Sequence, residues 1–216
     1  MRIVIADNYE VVRIGLRAVL RGDEGFEVVG EASSGSELLK VLALTRCDTA
    51  IVDFQMPEDE AGMDGVVLLR ELRRRHPALR IVVLTVLRNV AIFRIMYREG
   101  AHAVVEKTAV EEMLAALKAV RAGRTFLSKF FRDQLMSHSK SVTDVRTASG
   151  THVQALSARE AEVVRLLAQG LTVSEVARVT HRSVKTISLQ KHSAMAKLGI
   201  ANDQQLFDYV RTSGLL

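Results

Sequence analysis

The feature that most constrains this chain is a repeat of short apolar runs, each ending on a polar residue, with helical patterns between them. Arg2 to Ala6, Phe26 to Ala32, Asp48 to Asp53, Leu79 to Thr85 and Ala103 to Lys107 all have strand length. Most of these runs are continuously apolar, as in strands covered on both faces. The segments between them carry helical spacing. Val11, Val12, Leu16, Val19 and Leu20 form one stripe, and Leu38, Leu39, Leu42 and Leu44 another, with Ser34 or Ser36 as the candidate cap. Val66 to Arg75 stops before Pro77. Asn89 to Gly100 closes on its glycine, and Val110 to Ala122 closes at Gly123. Five strands alternating with five helices predict an α/β domain with a parallel sheet, spanning residues 1–127.

The strand ends are where an open α/β sheet places its chemistry. Four of them carry Asp7, Asp53, Thr85 and Lys107. Asp53, closing Thr49-Ala50-Ile51-Val52-Asp53, is the nucleophile candidate. Asp7 and Asp53 could hold a hard cation such as Mg²⁺. Lys107 can neutralise phosphoryl oxygens, and Thr85 can hydrogen-bond one of them. Taken singly, each residue has an ordinary explanation: a turn aspartate, a solvated lysine, a β-branched strand end. Four together at one sheet edge are a rarer coincidence.

The character changes over residues 137–153, which are polar and aperiodic. They read as part of a flexible linker, 128–153, leaving 154–216 as a second domain. There the pattern is four short helices. Ser157-Ala158-Arg159-Glu160 and Thr172-Val173-Ser174-Glu175 are capping boxes. Ser183 caps a longer helix from Val184 to Leu198, stopped by Gly199, and Asn202 opens the last one. Two short helices across a turn at His181-Arg182, the second longer and free of acids, form a helix-turn-helix pattern. Val184, Ile187, Ala194 and Leu198 are its predicted packing stripe. Ser188, Leu189 and His192 fall on the other face, and Lys185, Thr186 and Lys191 are candidates for phosphate contacts. The net charge of +5 agrees with an acidic partner, double-stranded DNA. One such domain makes a small interface, so a homodimer on a two-fold site is expected. The helices around Ile92 to Met96 and Val110 to Val120 are candidate pairing faces.

These motifs resemble the response regulators of the NarL/FixJ (LuxR-type) family. The resemblance covers nearly the whole chain. It is carried by the four strand-end residues and by Arg182-Ser183-Val184-Lys185-Thr186-Ile187-Ser188-Leu189-Gln190-Lys191, Ser193-Ala194-Met195, Lys197-Leu198-Gly199 and Asn202-Asp203. It implies a flavodoxin-like (CheY-like) five-stranded receiver followed by an all-α four-helix DNA-binding domain. It implies that Asp53 takes a phosphoryl group from a sensor histidine kinase or phosphotransfer protein, with Thr85 and Lys107 as switch residues. It implies a Mg²⁺ held by Asp7, Asp53 and the backbone carbonyl of Gln55, and partners that include RNA polymerase or a second LuxR-type regulator in a heterodimer. By the family pattern, Ser188, Leu189 and His192 point towards base edges.

The sequence departs from that pattern at Asn8, where the family has a second acid. Glu10 could supply the missing carboxylate, or it could simply suit the helix dipole in the first turn. Loss of a charge predicts weaker Mg²⁺ binding. It opens the alternative of a receiver acting largely without phosphorylation, through dimerisation. The aromatic switch position is Val104. An aspartyl-phosphate phosphatase would want an acid at Gln55, which argues against an enzyme. Cys47 is the only cysteine and excludes an internal disulfide. The N-terminus has no secretory pattern and no stretch approaches a membrane span, so a cytoplasmic protein without a membrane partner is expected.

Overall fold

The computed structural model describes residues 1–56, 63, 65–109, 111–133, 156–200 and 202–213. Residues 134–153 of the expected linker and most of the acidic loop after Met56 lie outside the described residues, whereas 128–133 are described, with Ser128 and Phe131 buried. The chain forms two compact units, one built on a sheet and one helical.

The first unit runs β1 (Arg2–Ala6), α1 (Glu10–Arg21), β2 (Glu27–Ala32), α2 (Gly35–Leu44), β3 (Thr49–Asp53), α3 (Gly65–Arg75), β4 (Arg80–Thr85), α4 (Val90–Arg98), β5 (Ala103–Glu106), α5 (Glu111–Arg121) and β6 (Phe126–Leu127). The strands are parallel in the order β2-β1-β3-β4-β5-β6. The order reverses between β1 and β3, so the crevice at their carboxyl ends is the topological switch point. Every residue of β3 is buried, as a central strand covered on both faces requires. Ile3, Ile5, Ile51, Val82, Leu84 and Val105 meet Leu16 and Leu20 of α1 and Met113, Leu117 and Val120 of α5 in one core.

Two expectations change here. The sheet has six strands, not five: Phe126 and Leu127 pair with Ala103 and Val104. A two-residue strand has no period to detect. Leu44 and Val11 leave their predicted stripes and stand 89% and 73% exposed, while Leu38 and Leu42, and Leu16 and Leu20, make the buried faces. On the helices offered as pairing faces, Ile95, Met96, Met113, Leu117 and Val120 turn into the core, so any pairing falls to their other sides. Of the two candidate caps of α2, Ser34 is the one used, with its Oγ accepting from the Glu37 N–H at 3.2 Å.

The second unit comprises α6 (Ala158–Ala168), α7 (Val173–Val179), α8 (Val184–Leu198) and α9 (Asp203–Ser213). Both capping boxes form: Glu160 accepts from the Ser157 N–H at 2.7 Å, and Glu175 from the Thr172 N–H at 2.7 Å. Gly199 ends α8 in the left-handed conformation at φ 68°. Val163, Val164 and Leu167 pack with Val176, Ile187, Ala194, Leu198, Leu206 and Val210. Val184, expected in the packing stripe, is 51% exposed, and Met195 is buried instead. The tight turn between α7 and α8 places His181 at φ 53°, the left-handed region that costs a side chain roughly 1–2 kcal/mol. A β-branched residue fits that region worst. His181→Val is therefore expected to destabilise this unit by about 1–2 kcal/mol in denaturant unfolding, while His181→Asn leaves it at least as stable.

Candidate functional site

The ends of β1, β3, β4 and β5 bring their four polar residues to one edge. Asp7 and Asp53 are 0% and 2% exposed, and Thr85 is fully buried. Lys107 joins the two acids: its Nζ lies 2.7 Å from Asp7 Oδ2 and 2.9 Å from Asp53 Oδ2. Its amide donates to the Thr85 carbonyl at 2.7 Å, which fixes the turn that aims the side chain. The other carboxylate oxygens serve local turns. Asp7 Oδ1 accepts from the Tyr9 N–H at 2.9 Å, and Asp53 Oδ1 from the Gln55 N–H at 3.1 Å. Thr85 Oγ1 accepts from the Leu87 N–H at 3.0 Å, leaving its hydroxyl hydrogen as a donor.

The electrostatics follow from burial. Desolvation pushes the Asp53 carboxyl above its ordinary pKa, against the pull of the Lys107 ammonium and the Gln55 amide. Desolvation also opposes the charge on Lys107, but the hydrogen bonds and charges of Asp7 and Asp53 outweigh it and hold that pKa up. The pocket is thus an acid pair partly neutralised by one resident ammonium.

Asp7 Oδ2 is buried, with the Lys107 ammonium as its partner. Asn8 Oδ1 is buried with no hydrogen-bond partner among the described residues. One oxygen lacking a donor beside two carboxylates is a donor set that suits a hard cation. Glu10 is exposed and stands in the first turn of α1. Among the described residues no group of three acids, histidines or cysteines is placed to hold a metal ion, so of the two readings of Glu10 the one in the first turn of the helix stands. Asp7 and Asp53 are the carboxylates that could hold Mg²⁺, with Asn8 as a neutral neighbour.

Sequence reading missed Tyr97 on α4. No ring stands at Val104, yet the Tyr97 hydroxyl accepts from the Val104 N–H at 3.1 Å and donates to the Phe126 carbonyl at 2.5 Å. Burial pushes its phenol pKa up. Its ring stacks 5.6 Å from Phe131, and Ser128 Oγ donates to Glu106, the neighbour of Lys107, at 3.3 Å. A lone tyrosine in an apolar helix face gave no signal of this tie.

In the helical unit, Lys185, Thr186, Leu189 and His192 are exposed and Ser188 is half-buried. Thr186 Oγ1 lies 2.8 Å from Ser183 Oγ, so its hydroxyl is shared with the cap. The His192 Nδ1–H donates to the Ser188 carbonyl at 2.7 Å, leaving Nε2 facing outward. Two of the three lysines of α8 are not free. Lys191 pairs with Asp203 at 2.6 Å and Lys197 with Glu160 at 2.7 Å. α8 contains no acid, but its neighbours supply two, which spacing within one helix could not reveal.

Residues 3–118 match the response regulator receiver domain family, and residues 154–210 match the bacterial regulatory proteins of the luxR family. The transcriptional regulatory protein RcsB of Salmonella typhi is 36% identical over 211 residues, 97% of this chain and 94% of its own length. The chain belongs to the LuxR-type response regulators. The oxygen regulatory protein NreC of Staphylococcus epidermidis is 30% identical to this regulator, over all of the chain and 99% of NreC. A solved structure of two RcsB dimers bound to two parallel DNAs superposes with a TM-score of 0.85 at 34% identity, covering 98% of each chain. So does RcsB from Salmonella enterica serovar Typhimurium bound to promoter rprA with the phosphomimetic BeF₃⁻, at a TM-score of 0.85 and 99% coverage of both chains. These relatives are transcriptional regulators, in agreement with the reading against an enzyme, and the regulator's receiver-plus-helix-turn-helix plan is theirs.

Proposed function

We propose that Asp53 accepts a phosphoryl group from a sensor histidine kinase or phosphotransfer protein, and that this controls dimerisation and promoter binding. The carrying observation is the Asp7–Lys107–Asp53 triad at the switch point, with Thr85 beside it. Asp53 Oδ2 is the attacking atom. Lys107 then trades the carboxylates for the new phosphoryl oxygens, and the Thr85 hydroxyl donates to one of them. Mg²⁺, when bound on Asp7, Asp53 and the Gln55 carbonyl, would neutralise charge on the incoming phosphate. The neutral side chain of Asn8 supports weaker metal binding than a second acid would give. That same observation favours the second reading, a receiver working partly without phosphorylation through homo- or heterodimers.

The domain limits proposed are 1–127 for the receiver, 128–153 for the linker and 154–216 for the DNA reader. The family matches at 3–118 and 154–210 support them. RcsB is bound to DNA as dimers in one solved complex, which supports a two-fold DNA site for this regulator. RNA polymerase is a proposed further partner. A cytoplasmic location fits a DNA reader, and among the described residues no helix is long and apolar enough to cross a membrane.

Base edges fall to Ser188, Leu189 and His192, and phosphates to Lys185, Thr186 and Lys191. Ser188 and Leu189 discriminate bases poorly, so DNA shape carries part of the specificity. The structure separates the two lysines. Lys185→Ala is expected to weaken binding uniformly across sequences and to reduce the salt slope by about 1. Lys191→Ala has a smaller effect, because Asp203 already holds its charge. Gel shifts against salt concentration measure both. The function as a whole is tested by genome-wide footprinting of wild type, Asp53→Ala and Asp53→Glu. Footprints that are absent in all three refute the DNA reading, and footprints that do not differ favour the phosphorylation-independent one.

A further inference from the structure

We propose that Tyr9 is a positioning residue that pins the Lys107 ammonium on the Asp7–Asp53 pair and so opposes Mg²⁺ entry. The inference rests on the acidic pocket being the Mg²⁺ site. The face of the Tyr9 ring lies 5.5 Å from Lys107 Nζ, within cation–π range. The ammonium is thus held by two carboxylates, at 2.7 and 2.9 Å, and by the ring. The Lys107 side chain is only 14% exposed, so this attraction acts in a partly desolvated setting, where it is stronger than at an open surface.

The sequence makes the ring's role specific. Asn8 withholds the charge that would otherwise help hold a cation here. The negative ring face supplies part of that missing potential, but to Lys107, since a hydrated metal does not shed its water for a ring. The resident ammonium stands on the two carboxylates that Mg²⁺ needs. Each increment of stability given to the pinned arrangement is therefore subtracted from metal affinity, because the two states compete for the same oxygens. Tyr9 itself is 59% exposed and serves as the N-cap of α1 without a side-chain cap bond, so its side chain is not needed to cap the helix. Its peptide N–H, which donates to Asp7 Oδ1, survives any substitution but proline.

The test compares wild type, Tyr9→Phe, Tyr9→Leu and Tyr9→Gln in the full chain. Titration with MgCl₂, followed by calorimetry and by the Asp7 and Tyr9 amide signals, gives the Mg²⁺ dissociation constant. Tyr9→Leu and Tyr9→Gln are expected to tighten it by roughly threefold to tenfold, and Tyr9→Phe to stay within about twofold of wild type. In the metal-free protein, the Lys107 ε-methylene protons are expected to carry an upfield ring-current shift in wild type and Tyr9→Phe that vanishes in the other two. Unchanged Mg²⁺ affinity in both ring-free variants overturns the proposal, as does absence of the ring-current shift in wild type. Asp53→Asn is the control for the underlying reading. If wild type and Asp53→Asn bind Mg²⁺ equally poorly, the pocket is not a metal site and the proposal falls with it. If only wild type binds and the Tyr9 variants match it, the pocket stands and Tyr9 alone is refuted.

Discussion

Asp53→Asn is expected to bring phosphoryl incorporation from acetyl phosphate and Mg²⁺ down to background while leaving the receiver folded. The amide keeps the shape of the side chain but has no anionic oxygen to attack phosphorus. Stability moves the other way. Burial raises the Asp53 pKa, so the native state holds its proton more tightly than the unfolded chain does. The sign follows: the favourable contribution is complete below the unfolded value and is lost as pH rises through the raised one. At pH 7 the ionised group costs stability, so Asp53→Asn melts no lower than wild type. A Phos-tag gel and a thermal melt measure the two effects. Residual stoichiometric labelling in Asp53→Asn would move the acceptor elsewhere, and a fall in Tm would show that Lys107 depends on both carboxylates for folding.

Glu160→Ala is expected to cost the DNA-reading unit more stability than any other substitution of a polar residue proposed for it. Glu160 closes the capping box of α6, and across the interior it also accepts from Ser193 Oγ and Lys197 Nζ, each at 2.7 Å. Truncation leaves a helix N-terminus, a hydroxyl and an ammonium without their acceptor. Capping and charged hydrogen bonds of this kind contribute about 2 kcal/mol together at the low end. For a unit this small that corresponds to a fall in Tm on the order of 10 °C. The Lys197 ammonium, with Ser193 and the Ser157 amide, holds the Glu160 pKa at about 2. A lowered carboxylate gives stability that is fully present above its unfolded pKa of 4.5 and is lost as pH falls towards 2. Acid melts of wild type should therefore lose stability across that window, and those of Glu160→Ala should lose less. Parallel acid curves for the two proteins would remove the clamp from the account. Gel shifts on the same variant at low temperature would show whether α8, once loosened from α6, still presents Lys185 and His192 to DNA.

Much of this protein was readable without coordinates. The apolar runs of β1, β3, β4 and β5 were continuous because both faces of a central parallel strand are buried, and that periodicity is local. Caps and glycine stops were equally local: Ser157 with Glu160, Thr172 with Glu175, and Gly199 each act within one turn. The four strand-end residues could be assigned to one edge because parallel strands all end on the same side. The helix-turn-helix pattern followed from two capped helices and a two-residue turn.

What the tertiary structure decided lies between elements distant in sequence. No spacing shows that Lys107 bridges Asp7 and Asp53, or that the ring of Tyr9 faces it. Nor does any spacing show that Asp203 and Glu160 claim two lysines of an acid-free helix. Leu44, Val11 and Val184 fitted helical stripes but stand exposed, because which edge of a stripe is covered depends on what packs against it. Tyr97 looked like any apolar-face residue until β5 and β6 closed around its hydroxyl. Asp53 was legible from its own strand as the acceptor candidate. That the Lys107 ammonium occupies its pocket was set only when β1, β3 and β5 came together.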